Sequence, residues 1–209
     1  MGQKTLIEES AELKEKLAPL LEDIDSMVAI TASWVLLLVD EPAGSAEMQK
    51  YFQSPSPDER RLAAAALASS GSKGCALAQQ ILAESQDPYV QANLALGLIG
   101  QRVEVSQSAD IIVNFLRSKK EPLMWDEQQN KLFAVLAPSR VMHIDRIINY
   151  PQAVDQMTRL NLISVLTVVE DKRAPVLLKE FLKQKKWGIT ATVVSLFLPL
   201  PFVGKMILG

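Results

Sequence analysis

Histidine and cysteine are almost missing: the 209 residues include one of each, His143 and Cys75. A lone histidine excludes a multi-histidine metal centre, and a lone cysteine excludes an internal disulfide. No metal or other cofactor is therefore expected, and a single thiol suits a reducing, cytoplasmic setting. Aromatic residues are scarce at 6% against 48% apolar overall. Leu, Ala and Val carry the apolar content, which is a helix-forming composition. Strong charge of one sign is also lacking, since a net charge of −2 does not fit a general nucleic-acid coat. The opening MGQKTLIEES has neither the basic start nor the apolar core of a secretory signal. Leu6 stands where a myristoylation signal would carry Ser or Thr. "SSGSKG" at 69–74 does not have the spacing of a phosphate-cradling loop.

What the chain does have is a repeated grammar. In "DPYVQANLALGLIG", 87–100, Asp87 suits a helix N-cap and Pro88 the first helical position, where no N–H is needed. Val90, Leu94, Ala95, Leu98 and Ile99 then share one helical face. Ala92, Ala95 and Gly97 thin the helix for close neighbours, and Gly100 is expected to end it as the residue after the cap. "SPDERRLAAAALASSG", 56–71, repeats the pattern 31 residues earlier. Following one apolar position along the chain gives Leu37, Leu67, Leu98, Leu132 and Leu166, at intervals of 30, 31, 34 and 34. A second helix is expected after each first one: Leu77, Ala78, Ile81 and Leu82 form the apolar face of one. Ile111, Ile112, Phe115 and Leu116 form another, and Leu177, Leu178, Phe181 and Leu182 a third, with Ile144 and Ile148 in the pair between. Paired helices recurring every 31–34 residues predict an all-α fold, a right-handed α-solenoid of antiparallel helix pairs.

These residues resemble HEAT repeats, particularly the short bacterial HEAT-like kind. Such repeats read Asp-Pro, Val-Arg, then an Ala-rich run ending in Gly, with a second helix opening on Asp, a basic residue, Ala and Pro. "DPYVQANLALGLIG" and "DKRAPVLLKEFL" carry the match best. Arg60 and Arg159 stand at the family's arginine position, and Gln91 replaces it in between. The fourth repeat, "LMWDEQQNKLF", departs most, with Gln128 and Gln129 in place of Ala-Ala. Tetratricopeptide repeats have a similar period, but their aromatic and Gly-Tyr positions are missing. The resemblance implies a fold and a binding role, and no reaction.

The expected organisation is an N-terminal capping helix in 1–24, a repeat array of about five helix pairs in 25–186, and a terminal apolar helix and tail in 187–209. The cap would be the amphipathic stretch 5–21, with Leu6, Leu13, Leu17, Leu20 and Leu21 near one face. Pro42 and Gly44 are expected to break the first pair of helices. Residues 187–204, "WGITATVVSLFLPLPFVG", carry no charge. They suit a last solenoid helix or, alternatively, insertion into a membrane or a partner, including a second copy of the chain. Charge is graded: 5 basic and 12 acidic residues in 1–60, 7 of each in 61–139, and 10 basic against 5 acidic in 140–209.

Catalytic groupings are few. His143 beside Asp145 and Arg146 reads as polarity near a helix start, and Cys75 as a small core residue, although a thiolate at a helix N-terminus is the alternative. Some HEAT-repeat DNA glycosylases use Trp and Asp on a basic concave face. Trp125 beside Asp126 meets that description only as a neighbouring pair, and a packed Trp with a solvated Asp is the default. If second helices line the concave face, their outward residues are the partner-binding candidates: Gln79, Gln80 and Glu84, then Asn114 and Arg117, then Lys179 and Lys183. The expected function is a non-enzymatic protein-protein interaction scaffold or adaptor. The alternative is a nucleic-acid binder using the basic C-terminal third.

Overall fold

In the computed structural model, residues 11–118, 125–126, 131–132 and 151–183 are described. The chain is all-helical there apart from one two-residue β-pair. Residues 11–17 are helical and pass at Pro19 into a 3-10 turn, Ala18–Glu22. Six helices follow: α1 Ser26–Val39, α2 Glu41–Phe52, α3 Pro57–Ala68, α4 Cys75–Glu84, α5 Pro88–Gly100 and α6 Val105–Ser118. After the short strands β1, Trp125–Asp126, and β2, Lys131–Leu132, come α7, Pro151–Val168, and α8, Ala174–Lys183.

The helix starts are set by local chemistry. Asp25 accepts from the Met27 N–H at 2.9 Å, and Asp87 accepts from the N–H groups of Tyr89 at 2.8 Å and Val90 at 3.4 Å. Ser56 takes the same role for α3, accepting from the Glu59 N–H at 3.5 Å. Each of these caps answers donors that the first helical turn cannot satisfy itself. Pro42, Pro57 and Pro88 stand at the first positions of α2, α3 and α5, where proline removes no hydrogen bond.

One expectation fails here. Pro42 and Gly44 do not break a helix pair, because both lie inside the first turn of α2. Asp40 alone separates α1 from α2. Gly44 is there for contact: a Cβ on it would run into the backbone of Leu36 and Leu37, so the two helices cross backbone on backbone.

Gly100 is likewise the last helical residue and not the residue after the cap. The left-handed residue is Arg102, at φ 59°, and the Val103 N–H closes the turn on the Leu98 carbonyl at 2.9 Å. Glu170, also at φ 59°, repeats that exit from α7, with the Asp171 N–H on the Leu166 carbonyl at 2.9 Å. Gly71, at φ 63°, holds the corresponding place after α3. Both closures are the backbone pattern that ends helices on a left-handed residue.

Apolar packing follows the expected register. Leu37, Leu67, Leu98 and Leu166 are all buried. Leu132 falls instead in β2, where Lys131 and Leu132 pair antiparallel with Asp126 and Trp125, so the helix expected at those four residues is replaced by a turn of strand. The remainder of 119–150, with His143, Ile144 and Ile148, lies outside the described residues, as do 1–10 and 187–209 with the apolar stretch.

Helix α5 is the pivot of the packing. Its Val90, Leu94 and Leu98 join a core made with α1 to α4, while Ala92, Ala95 and Ile99 join a second core with α6, α7 and α8. A helix buried on two sides needs small residues, which answers why Ala and Gly are used there. Gly97 brings α5 against α3: a Cβ on it would lie 2.7 Å from the Ala68 Cα.

The pair α7–α8 packs directly on α5–α6 in this second core. Arg159 donates to the Leu116 carbonyl at 3.4 Å, and Arg173 bonds Asp110 of α6 at 2.5 Å.

Candidate functional site

The loops that lead from one helix pair to the next are built twice in the same way. In 54–60, "SPSPDER", the Ser56 N–H donates to Ser54 Oγ at 3.1 Å, and Arg60 Nη1 donates to the Ser54 carbonyl at 2.6 Å. In 85–91, "SQDPYVQ", the Asp87 N–H donates to Ser85 Oγ at 3.2 Å, and Gln91 Nε2 donates to the Ser85 carbonyl at 2.7 Å. Arg60 and Gln91 are thus interchangeable as clips on a carbonyl six residues upstream. A staple links one loop to the next: Arg61 Nε meets Asp87 Oδ2 at 2.9 Å, and its guanidinium lies 4.4 Å over the Tyr89 ring. Tyr89 in turn packs edge-on against Phe115, with centroids 5.4 Å apart. These links fix successive helix pairs relative to each other.

Open clefts flank the first loop. One, of about 350 Å³, has Phe52, Ile81 and Val90 as its apolar part and Gln53, Arg60, Glu84, Gln86 and Asp87 among its polar lining. The other, of about 340 Å³, is lined by Ala18, Leu21, Glu22, Glu47, Lys50, Tyr51, Ser54 and Glu59. Burial pushes the Tyr51 hydroxyl pKa up, and the carboxylates of Glu47 and Glu59 act in the same direction. In the second cleft Ser54 Oγ donates to Glu59 Oε2 at 2.5 Å, and in the first Asp87 is held as a helix cap and by Arg61. Sequence reading missed both clefts. Their signal was present in the Ser-x-Ser-Pro and Ser-x-Asp-Pro loops, 31 residues apart.

The seven candidate contact residues divide between three helices. On α4, Gln80 and Glu84 are exposed and joined by a 3.2 Å hydrogen bond, and Glu84 lines the first cleft. Gln79 is half-buried and donates to Glu104 at 2.8 Å, tying α4 to the segment before α6. Asn114 and Arg117 are exposed on α6, and Lys179 and Lys183 are exposed on α8. The three groups lie on separate helices, α4, α6 and α8.

Other candidates fare differently. Cys75 is half-buried, contacts the Gly71 carbonyl at 3.6 Å and packs on the core, and burial raises its thiol pKa. That is the reverse of an activated thiolate. Among the described residues, no group of three or more His, Cys, Asp or Glu side chains is arranged to hold a metal, and no helix is long and apolar enough to cross a membrane. The backbone of Trp125 and Asp126 lies in the β-pair, not on a helix.

Comparison with family models, curated proteins and solved structures finds no match to this chain.

Proposed function

We propose that the chain is a non-enzymatic protein-interaction scaffold, a right-handed α-solenoid of antiparallel, HEAT-like helix pairs that holds a protein partner on the face of its second helices. The observation that carries this reading is the recurrence of one packing unit. The buried leucine at 37, 67, 98 and 166, the loop clip at Arg60 and Gln91, and the left-handed exit at 71, 102 and 170 all return at the sequence period. A unit stacked in this way buries one face of every helix pair and leaves a long preformed surface. Affinity would come from a few anchors seated against Phe52, the partly exposed apolar side chain of the first cleft, and selectivity from charges such as Glu84.

The test is capture by the tagged full chain from nuclease-treated lysate, followed by titration of the purified captured protein. Binding is expected to survive nuclease and moderate salt, and to weaken by about tenfold or more in a Gln80→Lys/Glu84→Lys variant. Capture that disappears with nuclease would refute the protein scaffold and favour nucleic acid. The exposed Lys179 and Lys183 on one stripe of α8 support that second reading. It requires a steep salt dependence that flattens in Lys179→Glu/Lys183→Glu.

A further inference from the structure

The exposed large apolar side chains among the described residues are confined to the first and last described elements. Leu20, Ile24 and Met27 lie at the start of the array, with Ile24 fully exposed, and Val168, Val176 and Leu182 lie on α7 and α8 at its end. Helices α2 to α6 between them have none. The end elements also differ in charge. Glu22, Asp23 and Asp25 surround Ile24 and are exposed, and no Lys or Arg occurs between Lys16 and Lys50. On α8, Lys179 stands three residues after Val176 and three before Leu182, with Lys183 in the next position, so one helical surface alternates apolar and basic groups. Glu180 is the acid on that helix, and before it Glu170 and Asp171 stand against Lys172 and Arg173, with Asp171 paired to Arg173, so the segment 168–183 keeps a basic excess carried by Lys179 and Lys183.

We infer that these two surfaces bind each other between copies, so that the acidic, apolar head of one chain docks on the basic, apolar tail of the next. A pairing of unlike surfaces is heterologous, and leaves a free head and a free tail on every oligomer. Charge complementarity chooses the second copy as occupant: two heads would set carboxylates against carboxylates, and two tails lysines against lysines. With only three large apolar residues on each side, the contact belongs among small, transient interfaces, with association in the micromolar range or weaker and strong sensitivity to salt. This inference does not depend on the partner-binding face proposed above.

Sedimentation velocity on the full chain tests it. At about 100 µM protein, the mean sedimentation coefficient should rise with concentration in about 50 mM salt and fall back to the monomer value in about 500 mM. Ile24→Gln/Met27→Gln and Val176→Gln/Leu182→Gln should each raise the dissociation constant at least about tenfold. Their circular dichroism melts should be unchanged, because all four side chains are exposed. Mixed together, the two variants should form a 1:1 dimer and stop, since only one good head and one good tail remain. If a Gln variant does not fold, Lys179→Glu/Lys183→Glu replaces the tail variant. A monomer at every concentration in low salt would overturn the inference. So would association that either variant leaves intact, or a mixture that stays monomeric, as would follow if another part of the chain already covered these surfaces.

Discussion

Replacing Gly97 with alanine should destabilise the protein, although the same change in an ordinary helix interior stabilises it by about 1 kcal/mol. The reason is geometric. An added Cβ would lie 2.7 Å from the Ala68 Cα, 2.9 Å from its carbonyl oxygen and 3.1 Å from its Cβ. Two of those atoms are backbone, so no rotamer change relieves the contact, and α3 and α5 must separate. Overpacking of this kind costs about 1–3 kcal/mol, and the separation also loosens Leu67, Leu94 and Leu98, which share a core across that crossing. The net expectation is a loss of about 1 kcal/mol, or a melting point lower by about 2–4 °C at this chain length. Gly100 provides the control on the same helix, since a Cβ there meets nothing within 4 Å. Gly100→Ala should therefore gain about 0.5 kcal/mol. Urea titrations of both variants, followed by circular dichroism at the helix band, measure the two midpoints against the parent. A Gly97→Ala midpoint equal to or above the parent would show that α3 and α5 are not in backbone contact, and would refute the account of why α5 is made of small residues.

Other expectations follow from single contacts. Arg102→Gly and Glu170→Gly should each stabilise by about 0.5–1 kcal/mol, because both residues hold left-handed backbone that glycine adopts without a Cβ penalty; thermal melts that fall would show that their side chains matter more than their φ. Arg61→Ala and Asp87→Ala should each cost about 1–2 kcal/mol, since Arg61 loses an ion pair and the Tyr89 face while Asp87 loses that pair and a cap. Their double variant should cost less than the sum, and strict additivity in denaturant titrations would show that the staple carries no coupling. The hydrogen bonds from Arg173 hold the Asp171 carboxyl pKa below its usual value. A depressed native pKa means that this stabilisation is present above the unfolded value of about 3.9 and is lost as pH falls through the native one. Asp171→Asn should be less stable than the parent at pH 7 and lose less on acidification to pH 2, which melting temperatures across that range would check.

The parts of the fold legible in the sequence were those that burial enforces. Leu37, Leu67, Leu98 and Leu166 could be aligned because each must be apolar to lie in its core, and all four are buried. Among the described residues the second-helix faces were legible for the same reason, although Ile111 and Leu116 are only partly buried and Leu182 is 47% exposed. Periodicity assigns a residue to a face but cannot say where the neighbouring helix ends. Helix exits were misread because backbone geometry fixes them and residue type only biases them: Arg102 and Glu170 take a conformation that glycine would signal, while Gly44 and Gly97 serve contact and Gly100 neither.

The candidate site was the least legible part, and its two components differ in why. The loop clips escaped notice because Arg60 and Gln91 look unlike each other, yet each places one donor on a carbonyl six residues back. The contact repeats in geometry and not in residue type. The outward stripe poses the opposite problem. Gln80, Glu84, Asn114 and Lys179 would read the same on a helix face that meets only water, because solvation and partner contact ask for the same polar atoms. What separates the two is an accessible apolar group beside the polar one, and that is present where Glu84 borders the cleft in which Phe52 stays partly exposed over the buried Ile81 and Val90. On this physical ground, Glu84 is the residue whose reversal should distinguish a binding surface from a merely wet one, and substitution of Asn114, which lines neither cleft, should weaken partner binding less than reversal of Glu84.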